Sequence, residues 1–227
     1  MTPMLSLFVS KYLFVLAALL PIINPPGLVP FFISLTSHNS NAQRAFLARR
    51  IAIYCFLLLL GSMYIGGVVL EFFGVSLPVV QVSGGLLITI AAWRMLNDAP
   101  AEASPQLAQG EHREALKQRA FYPLTFPLTV GPGSISVAIT IGASLTGTGS
   151  ALARYTIAPV ASLAAVATIC LAIWVCLRNA DKLFRYLGQT GSVVFLRLTA
   201  FILLCLGVQI IWMGLSGLLE PLLAVRR

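Results

Sequence analysis

Acidic side chains are scarce: there are seven Asp and Glu in 227 residues, and every one stands in a polar connection or at the end of an apolar run. A proton relay or hard-cation site inside a membrane needs a carboxylate in mid-span, and none is there. Metal export is therefore not expected, although backbone carbonyls at an unwound segment could still hold sodium. Histidine is as rare, with two copies, neither of them inside an apolar run. The four cysteines form no CxxC pair and have no histidine nearby in sequence, which removes zinc and redox motifs. They read as small buried hydrophobes. HExxH and GxSxG are missing, and no buried acid–base pair is available, so the chain is not expected to be an enzyme or to need a cofactor. Charge of either sign is sparse, at 10% of residues, where a soluble domain carries about 25%.

What is present is apolar residue in long runs, 58% of the chain. A helix rising 1.5 Å per residue needs about 20 apolar residues to cross the hydrocarbon layer. Ile51–Leu70, Ile157–Leu177 and Leu198–Leu219 meet that length without a charge. The apolar segments fall at 4–36, 51–70, 77–97, 121–146, 156–177 and 193–219, with polar connections at 37–50, 71–76, 98–119, 147–155 and 178–192. This predicts an all-α integral membrane protein of about six transmembrane helices. Within the first segment the short apolar run after Lys11 leads into Asn24-Pro25-Pro26-Gly27 rather than a cleavage site, so it reads as a retained span.

The net charge of +8 does not indicate nucleic acid, because the basic residues form no single face. They gather in alternate connections. Arg44, Arg49, Arg50, Arg113, Lys117, Arg119, Arg178, Lys182 and Arg185 would share one side, against Arg154, Arg226 and Arg227 on the other. Positive residues favour the cytoplasmic side, which predicts both termini outside.

Pro21-Ile-Ile-Asn24-Pro25-Pro26-Gly27 aligns with Pro127-Leu-Thr-Val130-Gly131-Pro132-Gly133. More weakly, Gln81-Val-Ser83-Gly84-Gly85 aligns with Arg197-Leu-Thr199-Ala200-Phe201. Each half, 1–97 and 120–227 around a cytoplasmic linker at 98–119, then holds three spans. An odd number inverts the second half, an arrangement typical of transporters. Proline and glycine inside an apolar run break the helix, and the freed backbone groups are tolerated only beside protein or a watery cavity. New helices would start near Pro26 and Pro132, with Asn24 or Gly131 as cap. Their amide ends would face a small anionic or zwitterionic solute. The residues assigned to that site are Asn24, Pro26, Gly27, Thr129, Gly131, Pro132, Gly133 and Ser134, with Thr125 and Ser136 adding hydroxyls nearby. Gln209 either lines the pathway or bonds a neighbouring helix. Arg94 and Arg197 read as snorkelling to the interface. Gly84-Gly85 and the Ser62/Gly66 pair read as close helix approaches.

The Asn24–Gly27 segment, Gly84-Gly85-Leu86-Leu87 with Trp93-Arg94-Met95-Leu96, Pro127–Gly133 and Gly207-Val208-Gln209 together resemble the MarC family (UPF0056), over essentially the whole chain. The Pro25-Pro26 doublet and the Ala91-Ala92 pair vary the usual pattern. The resemblance implies a bacterial inner-membrane protein with six spans and both ends outside, related to neutral amino-acid transporters, with Asn24, Pro26, Gly27, Pro132 and Gly133 as shared motif positions. The reading is thus a small-solute transporter or exporter working by alternating access between inverted repeats, with the lipid bilayer around it. Association with further copies of the chain stays open. The competing reading is a non-transporting partner or assembly protein that uses its breaks for packing.

Overall fold

The computed structural model describes residues 3–36, 38–97, 113–147 and 156–224. All elements among them are helical: α1 Pro3–Ile23, a 3-10 turn Pro25–Gly27, α2 Leu28–Leu35, α3 Asn41–Phe72, α4 Leu77–Asn97, α5 Arg113–Arg119, a wide-turned segment Ala120–Thr129, α6 Pro132–Gly147, α7 Ala158–Arg178 and α8 Ala180–Ala224. Five helices are long and apolar enough to cross a membrane, and a sixth crossing is formed if Glu114–Thr129 and Pro132–Leu145, bent by 71°, count as one span. The first break is milder: Met4–Ile33 runs as a single candidate span through the interruption, not as a hairpin.

Local chemistry explains the boundaries. Ser40 opens α3 with a capping box, accepting from the Gln43 N–H while the Gln43 side chain accepts from the Ser40 N–H. The helix therefore begins well before its apolar run. The segment 178–192, expected as a polar connection, is instead nearly all helix. One turn at Asn179 separates α7 from α8, and α8 continues for 45 residues, roughly 70 Å. Only Ala200–Glu220 of it is apolar enough to span. Polarity there marks exit from the lipid, not loss of helix, and Asp181 in the first turn suits the amide end. Of the expected linker, 113–119 is α5, and 98–112 lies outside the described residues, as do Arg154, Arg226 and Arg227.

The core forms where helices present spaced stripes. On α3, Leu47, Ile51, Cys55, Leu59 and Met63 recur every fourth residue and are buried. On α7, Ala161, Ala165 and Ser162 let neighbours approach closely. Large apolar side chains such as Leu57, Ile65, Val68 and Leu171 are exposed, on the faces that lipid covers.

The basic segments meet at one end of the bundle. Arg44 bonds Asp181 at 2.7 Å, Arg119 donates to the Leu35 carbonyl at 2.9 Å, and Arg49 and Arg178 line one groove. Residues from the 37–50, 98–119 and 178–192 segments thus share a side, as the alternation of charge expects.

In the wide-turned segment the sequence repeats itself as Pro123-Leu-Thr125 and Pro127-Leu-Thr129. Proline cannot donate a hydrogen bond. Each following threonine supplies a donor to the previous turn, Thr125 Oγ1 to the Ala120 carbonyl at 2.6 Å and Thr129 Oγ1 to the Leu124 carbonyl at 2.7 Å. Thr125 is fully buried. Thr125→Val is therefore expected to cost about 1 kcal/mol and to lower the thermal midpoint in detergent, while Thr125→Ser stays close to the parent.

Candidate solute site between the two helix breaks

At the first break, Asn24 takes left-handed backbone angles, φ 48° and ψ 67°, and its N–H still reaches the Leu20 carbonyl at 2.8 Å. Asparagine tolerates that conformation. Asn24 therefore closes α1, and its side chain makes no capping bond to the turn that follows. This corrects the expected cap: a capping side chain needs extended backbone at its own residue. The amide lies instead over Gly27, in the space a Cβ there would occupy.

At the second break, Pro132 begins α6 and has no N–H. The Gly131 carbonyl accepts from the Ile135 N–H at 3.1 Å and from Ser134 Oγ at 2.9 Å. The amides of Gly133 and Ser134 belong to the first turn, where an α-helix offers no partner. They are the free donors of this break.

Helix α4 closes over it. A Cβ on Gly133 would run into Ile88, and one on Gly84 into Ser136. Ser136 Oγ donates to the Val80 carbonyl at 2.8 Å, tying α6 to α4. Farther along, α4 crosses α8 with backbone against backbone. A Cβ on Gly85 would lie 2.8 Å from the Gly207 carbonyl oxygen, and one on Gly207 would lie 3.0 Å from that of Gly85. Gly85 thus faces Gly207, whereas the weak sequence match sets it against Phe201.

The two breaks and α4 enclose a cavity of about 550 Å³, within the usual range for small-molecule sites. Asn24, Gly27, Thr129, Gly131, Pro132, Gly133 and Ser134 all line it, so residues predicted from two distant segments meet. Pro26, in the 3-10 turn, and Gln209, exposed on α8, are not among its lining residues. The walls are apolar, with Ile22, Leu28, Phe31, Ile88 and Leu203.

Arg94 lines the same cavity. Sequence reasoning assigned it to the interface from its place near the end of α4, and no linear signal tied it to the breaks. Among the described residues it forms no ion pair. Among the described residues no carboxylate lines the cavity. The Thr129 and Ser134 hydroxyl protons are already given to backbone carbonyls. What remains is a set of donors: the Gly133 and Ser134 amides, the Asn24 amide and the Arg94 guanidinium. Such a set receives an acceptor-rich group, and guanidinium with helix-end amides fits a carboxylate well.

Residues 9–219 match the model of the MarC family integral membrane proteins. The chain is 33% identical over 211 residues to "UPF0056 inner membrane protein MarC" of Salmonella typhi and to that of Salmonella arizonae, covering 90% of this chain and 92% of each relative. It is 32% identical, with the same coverage, to the protein of that name from Escherichia coli. No solved structure matches it. With the match spanning nearly its whole length, the chain belongs to the MarC family of integral membrane proteins, as a multi-pass protein of the inner membrane.

Proposed function

We propose that the chain transports a small carboxylate-bearing solute of the neutral amino-acid class, holding it between the two helix breaks. The observation that carries this reading is the single cavity that both breaks line together with Arg94. Its donors are placed for a carboxylate. Asn24 Oδ1 offers an acceptor to an ammonium group, and the apolar wall suits an uncharged side chain. Both termini face away from the cytoplasm in this reading, because the basic end of the bundle is the inner one.

Alternating access follows if the halves are inverted repeats. Helix pairing supports that relation. Exchanging α1 with the Ala120–Thr129 segment, α2 with α6, α3 with α7 and α4 with α8 maps most of the helix contacts onto one another. The packing of α1 on α7 becomes that of Ala120–Thr129 on α3, and α4 on α6 becomes α8 on α2, while α3–α7 and α4–α8 map onto themselves. The reciprocal Gly85–Gly207 contact lies at the α4–α8 pair.

The test is uptake and counterflow of labelled glycine, alanine and serine in proteoliposomes. Gly27→Ala places a methyl group where the Asn24 amide now lies. Because that amide can rotate away, the variant is expected to fold with a near-parental thermal midpoint and to lose most of its flux, about tenfold for one lost hydrogen bond to a charged group. Saturable flux unaffected by Gly27→Ala would contradict the site. No flux from folded parent protein would favour a non-transporting role.

A further inference from the structure

A second concavity lies on the outer surface, between α3 and α7, and shares no residue with the site between the breaks. It measures about 800 Å³ and runs along two facing stripes at helical spacing, residues 45–56 of α3 and 167–178 of α7. Ala45, Ala52 and Ala167 leave its floor shallow-sided, and Phe56, Leu171 and Trp174 line it further. Among the described residues no acidic one lines it. Arg49 and Arg178 stand toward its basic end, and both are exposed.

Three neighbouring arginines have partners, Arg50 at the edge of the groove itself. Arg44 pairs with Asp181 at 2.7 Å, Arg119 donates to the Leu35 carbonyl, and Arg50 lies over the Phe46 ring at 5.4 Å. Arg49 has no ion pair among the described residues, and Arg178 has only the face of Trp174, at 5.0 Å. Two guanidiniums with no ion pair among the described residues thus stand at the head of an apolar trough in a surface that lipid covers. We propose that this groove binds an anionic phospholipid, its phosphodiester between Arg49 and Arg178 and one acyl chain lying along the trough. Charge complementarity selects this occupant. A zwitterionic lipid carries its own cation to the same place, and an apolar protein helix would leave both arginines facing nothing. An apolar trough along three turns of two helices suits an acyl chain, and guanidinium pairs with phosphate oxygens in two-pronged fashion.

Trp174 reports on the groove directly. The sequence has three tryptophans, so Trp93→Phe with Trp212→Phe leaves Trp174 as the sole emitter. This protein is reconstituted in bilayers doped with brominated phosphatidylglycerol or brominated phosphatidylcholine, and quenching is titrated against mole fraction. Basic residues near a membrane surface contribute about 1 kcal/mol each toward anionic lipid, which predicts a preference for phosphatidylglycerol of about 5- to 30-fold. Arg49→Gln with Arg178→Gln should reduce that ratio to near one, and Arg49→Lys with Arg178→Lys should retain part of it. Since the readout is a ratio within one protein, a smaller folded fraction does not imitate the result. Equal quenching by both lipids in the arginine-bearing protein would overturn the proposal and make the groove ordinary annular surface. Protection of Trp174 from both lipids would overturn it too, in favour of a protein segment or a second copy covering the groove.

Discussion

Arg94→Gln is expected to reduce the affinity of the protein for an amino-acid solute by about 10- to 100-fold, the factor for losing a hydrogen bond to a charged group. The residue stands near the end of α4 and lines the cavity that both helix breaks enclose, with no acidic partner among the described residues. A guanidinium snorkelling to the interface would touch lipid and water, and its loss would leave solute binding unchanged. A guanidinium serving the cavity is paired only when a carboxylate arrives. The two roles separate by ligand chemistry. Alanine should lose affinity in the variant, while alaninamide, which has no carboxylate, should bind the parent and Arg94→Gln equally weakly. Arg94→Lys should recover part of the loss, since it restores the charge without the planar fork. The measurement is half-saturation in competition for counterflow, compared between parent, Gln and Lys proteins.

Gly142→Ala is expected to lower stability by about 1–3 kcal/mol, the range for forcing an extra methyl group into a packed contact. Gly142 lies where α6 crosses α3, and a Cβ there would run into the main-chain carbonyl of Met63. A side chain could rotate away, but a carbonyl in the middle of a helix cannot. The two helices would have to separate, and the same shift would lift Ile139 off Gly66, which it covers one turn away. Gly142→Leu should leave little folded protein. Gly61 and Gly67, on the same helix as Met63, provide the control, because a Cβ at either meets nothing within 4 Å. Gly61→Ala and Gly67→Ala should be neutral or stabilising, by up to roughly 1 kcal/mol from helix propensity. Thermal midpoints and recovery of monodisperse protein in detergent compare the three sites.

The features that linear sequence made legible are those it encodes locally. Apolar length gave the candidate spans, and paired Pro-Gly interruptions gave both breaks. Alternation of charge put the 37–50, 98–119 and 178–192 segments together, and the Arg44–Asp181 bond joins two of them in space. Other features depended on which faces meet. Arg94 lines the cavity because Gly84 and Gly133 let α4 lie close against α6, and neither glycine reveals a partner in sequence. Gln209 sits two residues past Gly207, about 200° around the helix. The glycine that faces α4 therefore turns Gln209 outward, away from the breaks. The hydroxyls of Thr129 and Ser134 were legible as residues but not by use, since the backbone that takes their protons is broken only in the folded chain. The polar start of α8 was misjudged because polarity was equated with loss of helix, whereas a helix leaving the bilayer changes only its side chains.

Ala91 offers the most direct view of the proposed site. It is exposed and lines the cavity from α4. With the four native cysteines replaced by alanine, Ala91→Cys would be alkylated by a small maleimide in proteoliposomes and the rate followed with and without solute. The account predicts saturable slowing by alanine and serine, no slowing by alaninamide, and loss of protection when Arg94→Gln is added. Alkylation at one rate with every solute, in protein shown to be folded, would contradict the claim that the cavity between the breaks binds a carboxylate.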